Sequence, residues 1–416
     1  MKPRPRDTER TERIGAALKK HKWDALVCFR PMNVLMLSGY WPVLAHSVAV
    51  IMPSGEVSVV APEDEEALAR LGWADHVYTF TVASLSGFEK PSNLIAEQLG
   101  TILKPLQGGR VAYENSASTE PVTYVGMNVH GEAIRQLVGE ALQLGSLTPA
   151  SSELARLRAV LTTADLDVVR RACRIAKDAF SACSRFVGNG ATEAELAAAL
   201  RAGIGSRPPE DCVRADGFCF CMSGPNSSLA YKAYQRSTLR SLRKGEFVLL
   251  HCNSYVDGLW TDITRTYFLG DPGPQQMQML EAVLEARHAA IRQIRPGILA
   301  SAVDHAARQA LESRGYGKTF RHATGHGVGF AAVDHAARPH IHPLSTDVLE
   351  PGMTFNVEPA IYNDGVCGIR HCDMVTVTQT GCEILTDFQS DLDELVLPAR
   401  GHISQVPVVA GESLRL

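Results

Sequence analysis

Four segments in the second half of this chain set metal-ligating or proton-carrying side chains among apolar ones. The first is Gly245–Thr266, GEFVLLHCNSYVDGLWTDITRT. Asp257-Gly258 divides two apolar runs, the pattern of a two-residue hairpin turn. Such a turn sets His251 against Thr264 and Asn253 against Asp262, and alternation puts all four on one face. A solvated hairpin face is the bland reading of one His/Asp pair. The other segments argue against it. RHATGHGVGF (321–330) carries His322 and His326 among glycines, MTFNVEPAIY (353–362) carries Glu358, and GIRHCDMVTV (368–377) carries Arg370, His371, Cys372 and Asp373. Polar groups sunk in apolar strands cost stability unless they are paired or bind metal. Asp262, His326 and Glu358 together would form a mixed N/O site for Zn, Mn, Fe or Co.

The order and spacing of these motifs resemble the creatinase/Xaa-Pro aminopeptidase/prolidase family, with SGPNSSLAY (223–231) and the opening DALV…NVLMLSGY (24–40) as weaker matches. The resemblance implies an α+β chain: an N-terminal α/β creatinase-type domain (1–150), then a C-terminal pita-bread domain (151–416). It implies hydrolysis of a C–N bond (amide, peptide or amidine) in a small molecule or dipeptide and a homodimer; the cytoplasmic location expected for the chain rests on its free thiols. Five carboxylate and imidazole ligands hold two metals in the peptidases of this family. Their positions fall on His251, Asp262, His326, Glu358 and Cys372, so three match and two do not. A proton-handling histidine falls on Tyr231, and His335 is the nearest counterpart of another. Arg370 falls where an arginine supports the site, and Thr264 is expected to hydrogen-bond a ligand across the hairpin.

The changed residues alter the chemistry. Paired divalent ions need bridging carboxylates, whereas His251 offers one neutral nitrogen and Cys372 one soft sulfur. The expectation is one divalent ion (Zn, Fe or Mn) held by Asp262, His326 and Glu358 with Cys372 or His251, or no metal. Without metal, His251, His326, Glu358 and His371 are the candidates for acid–base hydrolysis, as creatinase implies. His322, His326, Glu358, Tyr231 and Arg370 are the catalytic candidates. A conventional Xaa-Pro dipeptidase and a non-catalytic binding relative stand as alternatives. Each replaced ligand is His, Cys or Tyr, groups that still bind, titrate or react, which favours an enzyme.

Length and composition fit this reading. The 416 residues suggest two domains, 45% hydrophobic content supplies large cores, and a net charge of −4 gives no reason to expect nucleic acid. No apolar run approaches 18 residues, so no membrane span is expected, and no signal peptide precedes the structured part. Ten cysteines without framework spacing point to free thiols, with Cys28, Cys173 and Cys183 packed in cores. MKPRPRDTERTER reads as a flexible arm and Leu147–Ser152 as the linker. Helices are expected at Ile14–Lys20, after an N-cap at Thr163, from Thr192 and over Gln276–Ile294; strands at Ala25–Phe29, Ser47–Met52 and Val57–Val60. Trp41 and Trp260 are candidates to shape a pocket. His340 and His342 alternate as in an exposed strand or loop and are expected to be unrelated to the site; His288 and His305 lie in helical segments and are expected at the surface.

Overall fold

The computed structural model describes residues 3–43, 46–81, 90–115, 132–188, 190–206, 212–232 and 237–399. The chain divides into two compact units, Met1–Arg158 and Ala159–Leu416.

The first unit is a six-stranded mixed sheet with helices. Its strands are β1 (Ala25–Cys28), β2 (Val48–Ile51), β3 (Val57–Pro62), β4 (His76–Phe80), β5 (Arg110–Tyr113) and β6 (Ser146–Pro149), in the order β4-β3-β2-β1-β5-β6. Strands β1, β2 and β3 are buried on both faces, which is why they read as unbroken apolar runs. Helices α1 (Thr8–His21), α2 (Pro31–Ser38), α3 (Glu66–Ala69), α4 (Pro91–Leu103) and α5 (Glu132–Leu142) accompany it.

Two expectations fail here. The charged N-terminal stretch is no arm: Asp7 caps α1 and the Arg10 guanidinium is buried, donating to the Leu157 carbonyl at 2.9 Å. Charge hid the helix because Arg10 is satisfied by a carbonyl inside the unit. Residues 147–152 are no linker either, since they form β6 and the start of α6 (Ser151–Ala159).

The second unit begins with α7 (Thr163–Ser184) and α8 (Glu193–Gly205). Thr162, one residue before the expected Thr163, caps α7 through a reciprocal bond with Asp165; Thr192 and Glu195 do the same for α8. Strands β7 (Ala215–Ser223), β8 (Phe247–Val256), β9 (Leu259–Trp260) and β10 (Ile263–Leu269) follow, then α9 (Pro274–Gln293) and α10 (Ala300–Ser313). Next come β11 (Thr354–Val357), β12 (Ala360–Asn363), β13 (Cys367–Arg370), β14 (Asp373–Val377), β15 (Cys382–Ile384), α11 (Leu392–Leu395) and β16 (Val396–Leu397). The main sheet runs β16-β10-β8-β7 with β9 beside β8; β11-β14-β15 and β12-β13 form two smaller sheets. Among the described residues no helix is long and apolar enough to cross a membrane.

The hairpin forms as expected. Asp257 and Gly258 have φ of 50° and 87°, the left-handed pair of a tight hairpin turn, and His251 pairs with Thr264. The ladder breaks at Asp262. Thr261 N–H still donates to Ser254 O at 2.7 Å, so the register is kept through the break.

A buried ion cluster locks β10 to β14. Arg265 Nη2 donates to Asp373 Oδ1 at 2.7 Å, Arg287 Nε donates to Asp373 Oδ2, and Arg265 also donates to the Thr264, Cys372, Thr386 and Phe388 carbonyls. Burial pushes the Asp373 carboxyl up, but Arg265, His371 and Arg287 outweigh it and hold it well below the usual range. The stability it contributes is therefore full above the ordinary carboxylate pKa near ~3.9 and is lost only as pH falls through its lower folded value. Asp373→Asn, which leaves two buried guanidinium groups without their anion, is expected to cost about 3–5 kcal/mol. Urea unfolding at neutral pH measures this; a loss under about 1 kcal/mol contradicts the network's role.

Candidate active site

Across the main sheet, Phe220 on β7, His251 on β8 and Thr264 on β10 stand in one row. An isolated bridge between Thr264 and Cys372 continues it, with Cys372 N–H donating to Thr264 O at 3.1 Å. Glu358 lies just beyond β11, where its N–H donates to Thr324 O at 2.8 Å. His326 is held by Asn356: its N–H donates to Asn356 Oδ1 at 2.7 Å. Gly325 makes this approach feasible, since a Cβ there would stand 1.8 Å from the Asn356 carbonyl oxygen.

These segments meet around Asp262. Its carboxylate oxygens lie 3.5 Å from His326 Nε2, 3.8 Å from His251 Nδ1 and 3.5 Å from Cys372 Sγ. Glu358 Oε1 is 4.0 Å from His326 Nε2 and 4.0 Å from His322 Nδ1, and Glu358 Oε2 is 3.8 Å from Arg370 Nε. Among the described residues, Asp262, Glu358 and Cys372 offer ligand atoms all within 4.8 Å of one another.

Hydrogen bonding fixes the imidazole tautomers. The Asn356 carboxamide presents its oxygen to the His326 amide, so its NH2 faces His326 Nε2 at 3.2 Å. The lone pair is then on Nε2, where it accepts the Asn356 N–H, and Nδ1–H donates to Gly327 O at 3.1 Å. An Asp262 carboxylate oxygen lies 3.5 Å from the same nitrogen, so a cation bound between them would take the place of the Asn356 hydrogen bond.

His251 is bonded on both ring nitrogens. Arg370 Nη2 donates to Nδ1 at 3.0 Å, Thr264 Oγ1 lies 2.9 Å from the same nitrogen, and Nε2–H donates to Asn253 Oδ1 at 3.0 Å. Arg370 Nε also donates to Thr264 Oγ1 at 3.0 Å. The expected His251 ligand therefore has no lone pair to give while the guanidinium stays in place.

Burial pushes the Glu358 carboxyl up to about 7, with Arg370 opposing and Asp262 reinforcing the rise. Burial also acts on Asp262, but His251, His326, Arg370 and Asn253 hold it below the usual range. Two neighbouring carboxyl groups thus have their affinities for protons driven apart. Burial raises the Cys372 thiol well above its ordinary value, and it donates to Asp262 through contacts of 3.2 and 3.5 Å.

The remaining candidates fall at different depths. His322 lies at the edge; its Nδ1–H donates to Ala323 O at 2.8 Å and its Nε2 accepts from Tyr362 Oη at 3.0 Å. Tyr231 sits farther out, against the Tyr362 ring, and accepts from Arg321 Nη1 at 2.7 Å. The His335 ring is exposed, 6.2 Å from that of His326. His371 is not in the centre: strand alternation turns it to the other face, 3.4 Å from Asp373. His340 is less remote than expected, since it bonds Asp347 and lies 3.0 Å from the His335 carbonyl. His288, His305 and His342 are exposed, as expected. Cys28, Cys173 and Cys183 are buried thiols, also as expected. Trp260 is buried, edge-on to Tyr255, and Trp41 belongs to the first unit. Sequence reasoning missed Asn356 and Tyr362. Asn356 had a signal, being a polar residue two before Glu358 on an apolar strand.

A carboxylate pair ringed by imidazoles, a thiol and a guanidinium thus sits on antiparallel hairpins of an α+β unit, with three of its groups spaced as metal ligands could be. The model of metallopeptidase family M24 matches residues 167–379, and the chain belongs to that family. The probable dipeptidase PepE of Mycobacterium tuberculosis is 33% identical over 250 residues, which cover 60% of this chain and 64% of that relative, short of two thirds of its length. The Xaa-Pro dipeptidase of Pyrococcus furiosus is 25% identical over 391 residues, 92% of this chain and 99% of that one. Among solved structures, dipeptidase PepE from Mycobacterium ulcerans superimposes with a TM-score of 0.71 at 26% identity, covering 94% of this chain and 97% of its own. The recombinant prolidase of Thermococcus sibiricus gives a TM-score of 0.75 at 24% identity, with coverage of 95% and 100%. The fold is the pita-bread architecture of the prolidases.

His251 and His371 supply a pH signature. Burial pushes each ring down to about 4, with Asp262 opposing at His251, and with Arg265 reinforcing and Asp373 opposing at His371. An unfolded histidine titrates near ~6.5. Between those values each of these two rings leaves the unfolded chain one proton ahead of the folded one, so each lowers stability by up to about 1.4 kcal/mol per pH unit as pH drops; His322, pushed down to about 3, adds a third such contribution and Glu358, raised to about 7, opposes them. Above that window the effect vanishes. His371→Gln should remove up to about 1.4 kcal/mol per pH unit of that slope between pH ~6.5 and ~5 in urea unfolding; an unaltered slope would show that His371 is already charged when folded.

Proposed function

We propose that this chain is a hydrolase of C–N bonds in small peptide-like substrates, using a remodelled centre that holds one divalent cation. The observation that carries the reading is the cluster of Asp262, Glu358 and Cys372, whose ligand atoms all lie within 4.8 Å of one another, with His326 Nε2 beside it at 3.5 Å from Asp262. Ligand atoms about 2.0–2.3 Å from one ion in tetrahedral geometry lie about 3.5 Å apart, close to the separations around Asp262. The residues present therefore fit one ion. Cys372 joins only by losing its proton, and a thiolate favours Zn or Fe over Mn. The guanidinium bonded to His251 argues against a second ion.

When bound, a divalent ion supplies Lewis-acid polarisation of the scissile carbonyl. The protein does the rest. Asn356 fixes the His326 ring, and Arg370 orients His251 and fixes positive charge beside Glu358. Glu358, with its carboxyl near neutrality, takes a proton from the attacking water and returns it to the leaving nitrogen. Tyr362 holds the neutral His322 ring at the edge of the centre. Dipeptides of the Xaa-Pro class are the substrates to test first, because relatives carry that name. A homodimer belongs to the same reading and rests on resemblance, and a cytoplasmic location rests on the free thiols.

A second reading is favoured by the split between Asp262 and Glu358. A carboxyl held ionised beside one that exchanges its proton near neutrality is also an acid–base pair for metal-free hydrolysis.

Elemental analysis of protein purified without a metal-affinity tag separates the two. About one equivalent per chain is expected, reduced in Cys372→Ser, with turnover lost in His326→Ala. Metal-free protein with undiminished turnover selects the acid–base reading, and two equivalents refute the blocking role of Arg370. Asn356→Ala, which removes the N–H that competes with a cation for the His326 Nε2 lone pair, should tighten metal binding by about 2–10-fold, the worth of one hydrogen bond. A chelator competition titration reads this, and an unchanged affinity removes His326 from the ligand set.

A further inference from the structure

On the reverse of the row that carries the centre lies a second chemical pair. Cys219 on β7 and Cys252 on β8 are directly opposed across the antiparallel ladder. Their sulfurs are 3.2 Å apart, with the Cys219 thiol donating to Cys252 Sγ. Opposed residues in such a ladder have Cα atoms about 4.5–5.5 Å apart, inside the 4.4–6.8 Å window of a disulfide. Both side chains therefore point into a geometry that needs rotation about side-chain bonds and no shift of the strands. Cys252 is fully buried, while Cys219 is partly open to solvent. Cys252 Sγ and the Ile204 side chain of α8 both lie 3.0 Å from where a Cβ on Gly217 would stand, which places the pair on the helix-facing side of the sheet.

We propose that Cys219 and Cys252 are a reversible dithiol site, closed to a disulfide by a small-molecule disulfide oxidant. The exposed partner starts the exchange. Cys219, as thiolate, attacks one sulfur of the oxidant; the oxidant's S–S bond breaks and one small thiolate leaves, taking up the proton that Cys219 released. Cys252 then attacks the Cys219 sulfur of the mixed disulfide and expels the second small thiol, which carries away the Cys252 proton. The protein loses two hydrogens and the oxidant is reduced to two thiols. Cys252 is buried 3.2 Å away, so it resolves the mixed disulfide within the fold and is shielded from direct attack.

The bond would join the immediate neighbours of two site-facing rings. Phe220 follows Cys219, His251 precedes Cys252, and those rings stack with centroids 4.5 Å apart. The staple thus closes directly beneath the imidazole that Arg370 holds. This inference does not rest on the proposed hydrolysis, because the two thiols face away from the centre.

The test uses full-length protein and oxidised glutathione. After treatment, free thiols are trapped with an alkylating agent and counted in denaturant, and peptides are mapped by mass. Two of the ten thiols are expected to vanish, a peptide pair linked through Cys219 and Cys252 to appear, and dithiothreitol to restore the full count. Cys219→Ser should lose no thiols under the same oxidant. Retention of every wild-type thiol would overturn the proposal. So would a lasting glutathione adduct on Cys219 without a cross-link, or a link from Cys219 to Cys183 in place of Cys252. The wild-type peptide map decides the matter even if the variant folds poorly.

Discussion

The guanidinium of Arg370 is fully enclosed, and everything around it has to account for its charge. Among the described residues no carboxylate makes a close bidentate pair with it; its bonds go to an imidazole nitrogen and a hydroxyl, and the nearest oxygen of Glu358 is 3.8 Å away. A buried cation so placed imposes order on its neighbours. It requires His251 to accept at Nδ1, which sends the proton to Nε2 and Asn253. It holds Asp262 ionised and opposes the rise that burial imposes on Glu358. The centre is therefore organised around a permanent positive charge supplied by the protein, with room for one mobile charge beside it.

Permanent and exchangeable cations act differently in a hydrolytic site. An ion can accept new ligands during a reaction, whereas a guanidinium only donates hydrogen bonds along fixed directions. An arginine beside the site supplies part of the field that stabilises negative charge and offers no coordination position. His251 and Arg370 are read best as one unit. An imidazole is compatible with the neighbouring guanidinium because it is neutral and can present a lone pair, and a second cation at that place would face direct repulsion.

Much of this was legible in the chain. The Asp-Gly turn and alternation gave the face shared by His251, Asn253, Asp262 and Thr264, because a two-residue turn leaves little freedom of register. The convergence of Asp262, His326, Glu358 and Cys372 followed from polar residues stranded in apolar runs. What failed depended on tertiary partners. The role of His251 is set by a guanidinium more than a hundred positions away in sequence, and His371 faces the wrong side because the row is joined through Cys372. The charged N-terminus read as an arm because no local pattern reveals that Arg10 finds a buried carbonyl. Thr163 was preferred over Thr162 because adjacent threonines offer the same cap, and only backbone geometry distinguishes them.

The bridge between Thr264 and Cys372 has a consequence for how the centre comes into being. It stitches the long antiparallel sheet to strands formed a hundred residues later, and the donor atoms are split between the two sides of that seam. Neither side alone carries a complete set, so the nascent chain presents no preformed trap for a cation until late, long-range pairing is done. Metal selection would then belong to the finished fold: an ion entering it would meet a shaped cage, and the soft sulfur that an unfolded chain would offer to any passing copper or zinc is already sequestered against Asp262.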